Sequence, residues 1–567
     1  MSLDPVAVEV IANRLTSIVD EQQAALVRTA FSTIVRESED LACGVFDARG
    51  WMVAQSLTGT PGHINAMATG MRHVLAAYPP ERLEPGDVLV TNDPWQTSGQ
   101  VNDFTVATPV FHENRVVGWF ANTCHSPDVG GRVLSGEARD VFEEGLRIPI
   151  MKLFRAGEPN EELLDIVRAN VRTPGETVGD LYAQTACNDV GARRLVALLE
   201  EAELETLEPV SDEIVGRSER AMRDAIREVP NGVYEGETWS DGFEEPIRIH
   251  ATVTVEDEDV HVDFAGSSPQ SRYGINVVLN YTHAYASFAM KAAFAPQVPH
   301  NEGSFRPVHV TAPPGSILNA QPPAAVGSRH VIGHFLPGVI FAALAPALPG
   351  RLLAGGADSV WLSVIRGQLP AGDWFSLSVF QAGGTGARAT KDGLSATGFP
   401  TGVAGVPVEV IETLTPLVQH RRELREDSGG AGRGRGGLGQ RTELSCTSGE
   451  PWMISALIDR TKFAGPGVEG GHEGALGEFT RANGEPLLPK RLVQLDPDER
   501  IHLNPAGGAG YGPPGERDPE RLLQDVVDGY VTIEAAAREY GVEIAYTGPA
   551  DALVRTPDMY EIVAQSH

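Results

Sequence analysis

The sequence predicts an α+β fold with a mixed α/β N-terminal region, β-rich middle and C-terminal regions that are rich in Gly and Pro, and a C-terminal helix. Three observations lead to this prediction. Apolar residues recur at helical spacing near the N-terminus and again within residues 157–228. Beyond residue 230, apolar and polar residues alternate with period two, as they do in strands. The 62 Gly and 40 Pro of the 567 residues are concentrated in the second half, which predicts many turns there.

The N-terminal region begins with a predicted helix over residues 5–30. Asp4 and Pro5 provide an N-cap and a first-turn proline, and apolar residues follow at every third or fourth position. Residues 41–56 predict a β-hairpin that turns at 47–50. The other predicted elements of this region are a helix over 64–78 and strands over 87–91, 104–111 and 115–121.

The pattern changes twice along the rest of the chain. Residues 157–228 predict helices, and the alternating segments GVYEGETWSD and HATVTVEDEDVHVDF predict strands directly after them. Three further helices are predicted over 282–293, 331–347 and 518–540, and the Gly-rich chain after residue 383 is strand-like. These changes predict three domains, over residues 1–229, 230–420 and 421–567.

Charge and composition exclude several classes of protein. The net charge is −31, whereas nucleic acids and anionic membranes bind basic surfaces. Four widely spaced Cys without a Cys-x-x-Cys pair argue against a disulfide scaffold and suit a reducing cytoplasm. The N-terminus has no signal-peptide pattern, and the longest apolar run, 335–348, is too short to cross a bilayer. We therefore expect a cytoplasmic protein with no nucleic-acid or membrane partner.

Two polar loops follow predicted strands of the N-terminal region, where loops often carry binding sites. The segment TNDPWQTSGQVNDF contains Gln100 and Asp103, and NTCHSPDVGG contains His125 and Asp128. A histidine with carboxylate and amide oxygens suits a divalent metal such as Mn²⁺, Fe²⁺ or Zn²⁺. The residues alone also allow a second interpretation, in which the Asp and Asn residues form turns and His125 is structural.

Other motifs give weaker signals. GRGRGG matches the dinucleotide-binding string, but no strand precedes it and no helix follows it. GGTGARATKDG lacks the Walker A spacing, so no P-loop is expected on this chain. His63 lies at a predicted helix start, from which it could reach a site on other loops; a capping or surface role is the alternative.

Segments distributed over residues 4–545 are together similar to one known family. They are DPVAVEVIANRL, FDARGWMVAQ, TNDPW with VNDF, HSPDVGG, FEEGLRIPIMKL, NVRTPGETVGDLYAQTACN, HNEGSFRPVHVTAPPGSILNAQPPAAV, PVEVIE, DSGGAGRGRGGLG and GYGPPGERDPERLLQDVVDGYV. On these segments the chain resembles the hydantoinase B/oxoprolinase B family. That family includes N-methylhydantoinase B subunits, the B half of ATP-dependent 5-oxoprolinase and the α subunit of acetone carboxylase.

The resemblance implies one subunit of a heteromeric enzyme, in an arrangement such as α2β2. The partner would be an A-type subunit with an actin-like ATPase fold, which binds ATP and phosphorylates the small-molecule substrate. This B-type chain would carry a divalent metal, Mn, Zn or Mg, beside which the activated intermediate reacts. ATP is therefore expected on the partner and not on this chain.

Carried over residue by residue, the resemblance implies Asp103 and His125 as metal ligands. Gln100 would be a third ligand, in the position where the family's T-H-L-P-D motif has its His. An amide oxygen is a harder and weaker ligand than imidazole, so this departure favours Mn²⁺ or Mg²⁺ over Zn²⁺. Asp128 is expected to orient His125 or act as a general base, and His63 is a second catalytic candidate.

Three functions follow from the resemblance. The first is the B-type subunit of an ATP-dependent cyclic-amide hydrolase that opens a hydantoin, lactam or 5-oxoproline-like ring. The second is the α-type subunit of an ATP-dependent ketone carboxylase. The third is a non-catalytic scaffold subunit whose metal site has degenerated at Gln100.

Overall fold

The computed structural model describes residues 4–369 and 372–565, which form several sheets with helices packed against them. The N-terminal sheet has the strand order β2-β1-β5-β4-β3-β6-β7, and every neighbouring pair in it is antiparallel. Its strands are β1 (Leu41–Phe46), β2 (Met52–Gln55), β3 (Val88–Thr91), β4 (Asp103–His112), β5 (Arg115–His125), β6 (Met151–Arg155) and β7 (Glu158–Pro159). The helices of this region are α1 (Pro5–Thr29), α2 (Thr33–Arg36), α3 (Pro61–Ala77), α4 (Val141–Glu144), α5 (Glu161–Asn170), α6 (Pro174–Glu201) and α7 (Glu208–Arg227).

Helices cover both faces of the N-terminal sheet. In β1, Cys43 and Val45 belong to the core that α1 and α6 form, whereas Ala42 and Phe46 belong to the core on the side of α3. Successive strand residues point to opposite faces, so a strand covered on both sides is apolar throughout. The predicted first helix and hairpin are confirmed, and α1 has Asp4 as its N-cap, with the side chain accepting from the Val6 amide.

The middle region is a four-stranded sheet with helices on one side. The strand order is β11-β10-β9-β8, in which only the β10–β11 pair is parallel. The elements are β8 (Gly232–Ser240), β9 (Ile247–Glu256), β10 (Asp259–Asp263), α8 (Leu279–Phe294), α9 (Glu302–Phe305), β11 (Val308–Thr311), α10 (His330–Gly333) and α11 (Leu336–Leu344). The alternating burial along β9 confirms the period-two prediction.

The last region contains two more four-stranded sheets and a terminal strand pair. The orders are β13-β12-β16-β18, β14-β15-β19-β17 and β20-β21. The elements are β12 (Trp361–Gln368), β13 (Trp374–Gln381), α12 (Val408–Leu414), β14 (Leu417–Leu424), β15 (Gln440–Cys446), β16 (Trp452–Leu457), β17 (Glu478–Arg481), β18 (Leu492–Leu495), β19 (Ile501–Asn504), α13 (Pro519–Val527), α14 (Ile533–Tyr540), β20 (Val542–Tyr546) and β21 (Tyr560–Gln565). The first of these sheets pairs strands from both sides of residue 420, and the predicted division into three domains stays a prediction.

Two predicted helices are each broken in the structure. The helix predicted over 518–540 is α13 followed by α14, because Gly529 turns the chain with φ +73° and Thr532 caps a new helix. The helix predicted over 331–347 is α10 and α11, which break at His334 and Phe335. The second break matters because it is next to the site described below.

The glycines after residue 383 do not mainly form turns, which corrects the prediction made from composition. Backbone hydrogen bonds join Gly-rich segments to one another outside the strands: Gly384 donates to Ala506 over 3.0 Å, and Gly508 donates to Gly437 over 2.9 Å. A Cβ on Gly384 or Gly508 would lie less than 3.0 Å from the carbonyl oxygen of another segment. Close packing of backbone on backbone therefore requires glycine at these positions.

Gly508→Ala tests this packing. The added methyl group collides with the backbone of Thr385, so we expect the free energy of unfolding to fall by about 1–3 kcal/mol. The matched control is Gly175→Ala in the first turn of α6, where nothing lies within 4 Å of the added atom and stability should stay unchanged or rise. Urea denaturation of both variants measures the difference. Equal stabilities would contradict the packing argument.

Candidate functional site

Asp103 and His125 lie opposite each other on neighbouring strands. Strand β4 begins at Asp103, β5 ends at His125, and the antiparallel register pairs these two residues. Because the two strands form one hairpin, the start of β4 and the end of β5 lie at the same end of the strands, and the loops that adjoin them meet there. Nδ1 of His125 is 2.9 Å from Oδ1 of Asp103. At this end both strands are longer than predicted: β4 begins at Asp103 and not at 104, and β5 ends at His125 and not at 121.

Gln100 and His63 complete the surroundings of the Asp103 carboxylate. Nε2 of Gln100 donates to Oδ1 of Asp103 over 2.6 Å and lies 2.9 Å from Nδ1 of His125. His63, in the first turn of α3, places Nε2 at 3.1 Å from Oδ2 of Asp103. Its Nδ1 is 3.6 Å from Oδ1 of Asp40, which is too long for a hydrogen bond.

A buried guanidinium also binds this carboxylate. Arg329, directly before α10, donates from Nη2 to Oδ2 of Asp103 over 2.5 Å and from Nε to the Ser98 carbonyl over 2.5 Å. Its Cζ lies 4.0 Å from the centre of the Tyr281 ring, which is a cation–π contact. Only 2% of the Arg329 side chain is exposed, and none of the Asp103 side chain.

These contacts fix the charge of the centre. Burial alone would raise the pKa of Asp103, but the positive charge of Arg329, together with His63 and His125, holds that pKa well below its usual value. Burial acts to lower the pKa of His63, but the charges of Asp103 and Asp40 outweigh it and raise the pKa. Asp103 is therefore ionised at neutral pH, and His63 takes up a proton more readily than an ordinary histidine.

Two more histidines line the same site from the middle region. His330 and His334 are four residues apart, and burial lowers the pKa of His330 to about 3 and that of His334 well below its usual value. Both imidazoles are therefore neutral at physiological pH. The hydroxyl of Tyr281 is 3.4 Å from Nε2 of His334, and burial raises the pKa of that hydroxyl to about 12.

A small cavity of about 30 Å³ lies between these groups. Its lining comes from all three regions of the chain: Asp40, Thr60, His63, Gln100, His125, Tyr281, Arg329, His330, His334, Leu362, Phe380, Thr401 and Val403. Four buried polar atoms of the lining have no protein partner among the described residues: Nδ1 of His63, Oε1 of Gln100, Nε2 of His330 and Nδ1 of His334. The cavity has room for a water molecule, and these atoms can bind it.

Glu144 holds the loop that leads to Arg329. Its Oε1 accepts hydrogen bonds from the amides of Val326 and Gly327 over 2.8 and 2.6 Å. A Cβ at Gly327 would be 3.0 Å from that oxygen, which is tighter than an ordinary contact. Burial raises the pKa of Glu144 to about 8, so the carboxyl is protonated over most of the neutral range.

Glu144→Gln should change how stability depends on pH. The folded-state pKa of about 8 lies above the ordinary 4.5, so the contribution of protonated Glu144 is complete below pH 4.5 and is lost as the pH rises through 8. Glutamine keeps the accepting oxygen and cannot ionise, so the variant should lose less stability than the native chain as the pH rises from about 4.5 to about 8. Glu143→Gln, at a side chain 37% exposed, is the matched control. Thermal unfolding over this pH range measures the effect, and parallel curves for native chain and E144Q would contradict it.

The structure brings together four of the five residues selected from the sequence: His63, Gln100, Asp103 and His125. Asp128 is elsewhere, because its Oδ1 accepts from Nη1 of Arg172 over 2.7 Å. Asp103 and Gln100 contact His125 in its place, so Asp128 does not orient His125 as expected, and its role as a general base stays a prediction.

Sequence reasoning missed Asp40, Tyr281, Arg329, His330 and His334. One signal was available in the segment GSRHVIGH, at the start of an apolar predicted helix. It contains an arginine followed by two histidines, and the two histidines are four residues apart. That spacing puts both imidazoles on one side of the helix, where a purely structural apolar segment would have none. Tyr281 and Asp40 have no comparable local signal.

The centre does not fit the divalent metal that the sequence predicts. By type, imidazole, carboxylate and amide oxygens are suitable ligands. By arrangement, each oxygen of Asp103 already lies within 3.1 Å of two nitrogen atoms, and one of these belongs to the permanently charged Arg329. Among the residues that the structure describes, no group of three or more His, Cys, Asp or Glu could hold a metal ion. We therefore derive no step through a metal.

Fold and site together define a multi-sheet α+β protein built around an enclosed centre of carboxylate, imidazole and guanidinium groups. Within residues 4–369 and 372–565, no helix has the length and apolar character needed to cross a membrane. A family model described as hydantoinase B/oxoprolinase matches residues 4–514. The chain belongs to this family, which confirms the resemblance.

Similar proteins include components of two enzymes of pseudomonads. The putative D-/L-hydantoinase B subunit of Pseudomonas sp. (strain NS671) is 32% identical over 572 residues, which cover 96% of this chain and 95% of that protein. The beta subunit of the caprolactamase of Pseudomonas jessenii is 31% identical over 578 residues, which cover 97% of this chain and 98% of that protein.

Two solved structures have the same fold. The crystal structure of ATP-dependent caprolactamase from Pseudomonas jessenii matches with a TM-score of 0.88 at 29% identity, over 97% of this chain and 98% of that one. The nucleotide-free structure of acetone carboxylase matches with a TM-score of 0.86 at 20% identity, over 99% of this chain and 81% of that one. These matches confirm the predicted α+β class.

Proposed function

We propose that this chain is the B-type subunit of an ATP-dependent cyclic-amide hydrolase and that ring opening takes place at the Asp103 centre. The relatives named as a hydantoinase B subunit and a caprolactamase beta subunit support the reaction class. The observation that carries the proposal is the enclosed centre itself, in which an ionised carboxylate holds a histidine whose second nitrogen has no protein partner. His63 also lines the cavity, so this nitrogen is available to bind the reacting water.

His63 is the general base in this proposal. With its Nε2 facing Oδ2 of Asp103, the neutral imidazole carries its proton on Nε2 and its lone pair on Nδ1. The cavity lined by His63 has room for a water molecule, which this lone pair could deprotonate. Asp103 acts through His63, since it fixes the tautomer and stabilises the imidazolium that forms, as the carboxylate does in a Ser-His-Asp triad.

The chemistry requires a partner, because an amide is too poor an electrophile for this site alone. The A-type subunit transfers the terminal phosphoryl group of ATP to the amide oxygen. Water activated by His63 then adds to the ring carbon, the ring nitrogen takes a proton and leaves as the amine, and a second water releases phosphate from the acyl phosphate. A cavity of about 30 Å³ accommodates the water but not the ring, so the activated ring reacts at the cavity mouth.

The test is turnover by the complex of this chain with an A-type subunit. With MgATP and caprolactam, hydantoin or 5-oxoproline as candidate substrates, mass spectrometry should detect the ring-opened product together with ADP and phosphate. Asp103→Asn should assemble with the partner and lose ring opening. Product formation by the A-type subunit alone, or full activity of the D103N complex, would refute the proposal.

Ketone carboxylation is the alternative outcome. The acetone carboxylase match, at 20% identity, shows a common fold and does not by itself support carboxylation. Labelled bicarbonate with acetone in the same assay separates the two reactions, since carboxylation incorporates label and ring opening does not. A complex that forms but performs neither reaction would favour the scaffold role.

His63→Gln probes the general base directly. Glutamine can keep a donor near Oδ2 of Asp103 but has no basic nitrogen, so we expect kcat to fall by about 10²–10⁴-fold. Because the pKa of His63 is raised above 6.5, the native complex should lose activity with an acid limb that lies above pH 6.5, and the variant should lack that limb. His73→Gln, an exposed position on the same helix, is the control. An unchanged pH profile in H63Q would contradict the assignment.

A further inference from the structure

We propose that Arg329 takes the place of a divalent cation at Asp103, so that this centre works with a fixed guanidinium instead of a bound metal. The inference concerns the site of the proposed ring opening and rests on that function only for its kinetic measurement. It is the opposite of what the family resemblance implies for this chain. It depends on how the carboxylate, the glutamine and the arginine are arranged.

The Asp103 carboxylate has no coordination position left. Oδ1 lies 2.6 Å from Nε2 of Gln100 and 2.9 Å from Nδ1 of His125, and Oδ2 lies 2.5 Å from Nη2 of Arg329 and 3.1 Å from Nε2 of His63. A carboxylate has about four lone-pair positions, and nitrogen atoms face all four. A metal ion could bind Asp103 only by displacing one of these groups.

Gln100 does not direct its ligand atom, the amide oxygen, toward Asp103 and His125. Its amide nitrogen, not its oxygen, faces Asp103 and His125, and the reverse orientation would place the amide oxygen against a carboxylate oxygen. Where an imidazole in this position could offer a lone pair to a metal, the amide donates a hydrogen bond to the carboxylate. Gln100 therefore donates a hydrogen bond to one oxygen of Asp103, while Arg329 supplies the positive charge at the other oxygen.

The loop beside the site is shaped around the arginine. Gly99 has φ +89°, and a Cβ there would lie 2.8 Å from Cδ of Arg329. The Ser98 carbonyl accepts from Nε of the same side chain, and the Tyr281 ring covers the guanidinium. Two contacts besides the ion pair with Asp103, together with the space left by Gly99, thus hold Arg329 in place.

A guanidinium supplies part of what a metal supplies. It is always charged, so it keeps Asp103 ionised, and its planar N–H groups bind phosphate oxygens well. Arg329 also lines the cavity, and a phosphorylated ring at the cavity mouth would develop negative charge during water attack. Unlike a metal ion, it cannot be removed by a chelator.

Metal binding by the full-length chain tests the proposal without any turnover. In an electron paramagnetic resonance titration with Mn²⁺, the native chain should leave the signal of free Mn²⁺ unchanged, and elemental analysis of its complex with the A-type subunit should find no stoichiometric Mn, Zn or Fe. One tightly bound Mn²⁺, Zn²⁺ or Fe²⁺ per native chain would overturn the proposal. In the ring-opening assay 1,10-phenanthroline, with MgATP still present, should cause no loss of rate, and a loss of rate would count against it.

Variants show whether Arg329 is the group that excludes the metal. Q100H alone should not bind Mn²⁺, because the guanidinium remains, whereas Q100H combined with R329M should bind one Mn²⁺ per chain. R329K combined with Q100H keeps the positive charge and is the matched control, which should stay metal-free. Circular dichroism establishes that each variant is folded. A folded Q100H/R329M chain that binds no Mn²⁺ would overturn the proposal, and if it does not fold the native titration decides.

Failure of this proposal and failure of the proposed function give different results. Absence of ring opening by the native complex would refute the function and leave the Mn²⁺ titration valid. A native chain that opens rings and also binds a stoichiometric metal would refute only the proposal about Arg329.

In the ring-opening assay, R329M should lower kcat by about 10²–10³-fold, because the variant loses one group that stabilises developing charge.

Discussion

The buried negative charge of Asp103 is the interaction on which the rest of the site depends. A carboxylate that leaves water without compensation is too costly to remain ionised, so its partners must be built into the fold. Here they come from separate parts of the chain: His63 from α3, Gln100 from the loop before β4, His125 from the end of β5, and Arg329 from the start of α10. The charge therefore ties the N-terminal sheet to the middle region, and the chemistry that we propose uses the same contacts.

Close backbone packing is the second constraint, and it explains the composition of the second half. Gly-rich segments bond to one another through backbone amides and carbonyls at distances that leave no room for a Cβ. Such packing can hold a rigid framework without long helices. The cavity receives Thr401 and Val403 from this half of the chain, so its packing contributes to the shape of the site.

Much of the fold was predictable from the sequence, because periodicity reports burial directly. The first helix, the hairpin of β1 and β2 and the alternating strand β9 are found where the pattern predicts them. The break at Gly529 was missed because a glycine within a helical pattern does not by itself reveal its φ angle. The glycine packing was missed for a related reason, since a residue without a side chain has the same local signature in a turn and in a tight backbone contact.

The candidate site was predictable only in part. Asp103 and His125 were found because each lies in a polar loop that follows a predicted strand, and because the family resemblance selects both. The antiparallel register of β4 and β5 brings the two residues together. Arg329 was missed because it lies 226 residues from Asp103 in sequence, and no local pattern specifies a contact at that separation. Asp128 was selected from its polar loop and from the family resemblance, and in the structure its carboxylate binds Arg172.

The most direct test of this account is a double-mutant cycle on the free energy of unfolding, with Asp103→Asn, Arg329→Gln and the pair combined. Each single variant leaves a buried charge without its partner, whereas the double variant leaves none. The account predicts that the two changes are coupled by about 2 kcal/mol or more, with the double variant less destabilised than the sum of the singles. Additivity within about 0.5 kcal/mol would show that the carboxylate and the guanidinium do not depend on each other, and would contradict the account.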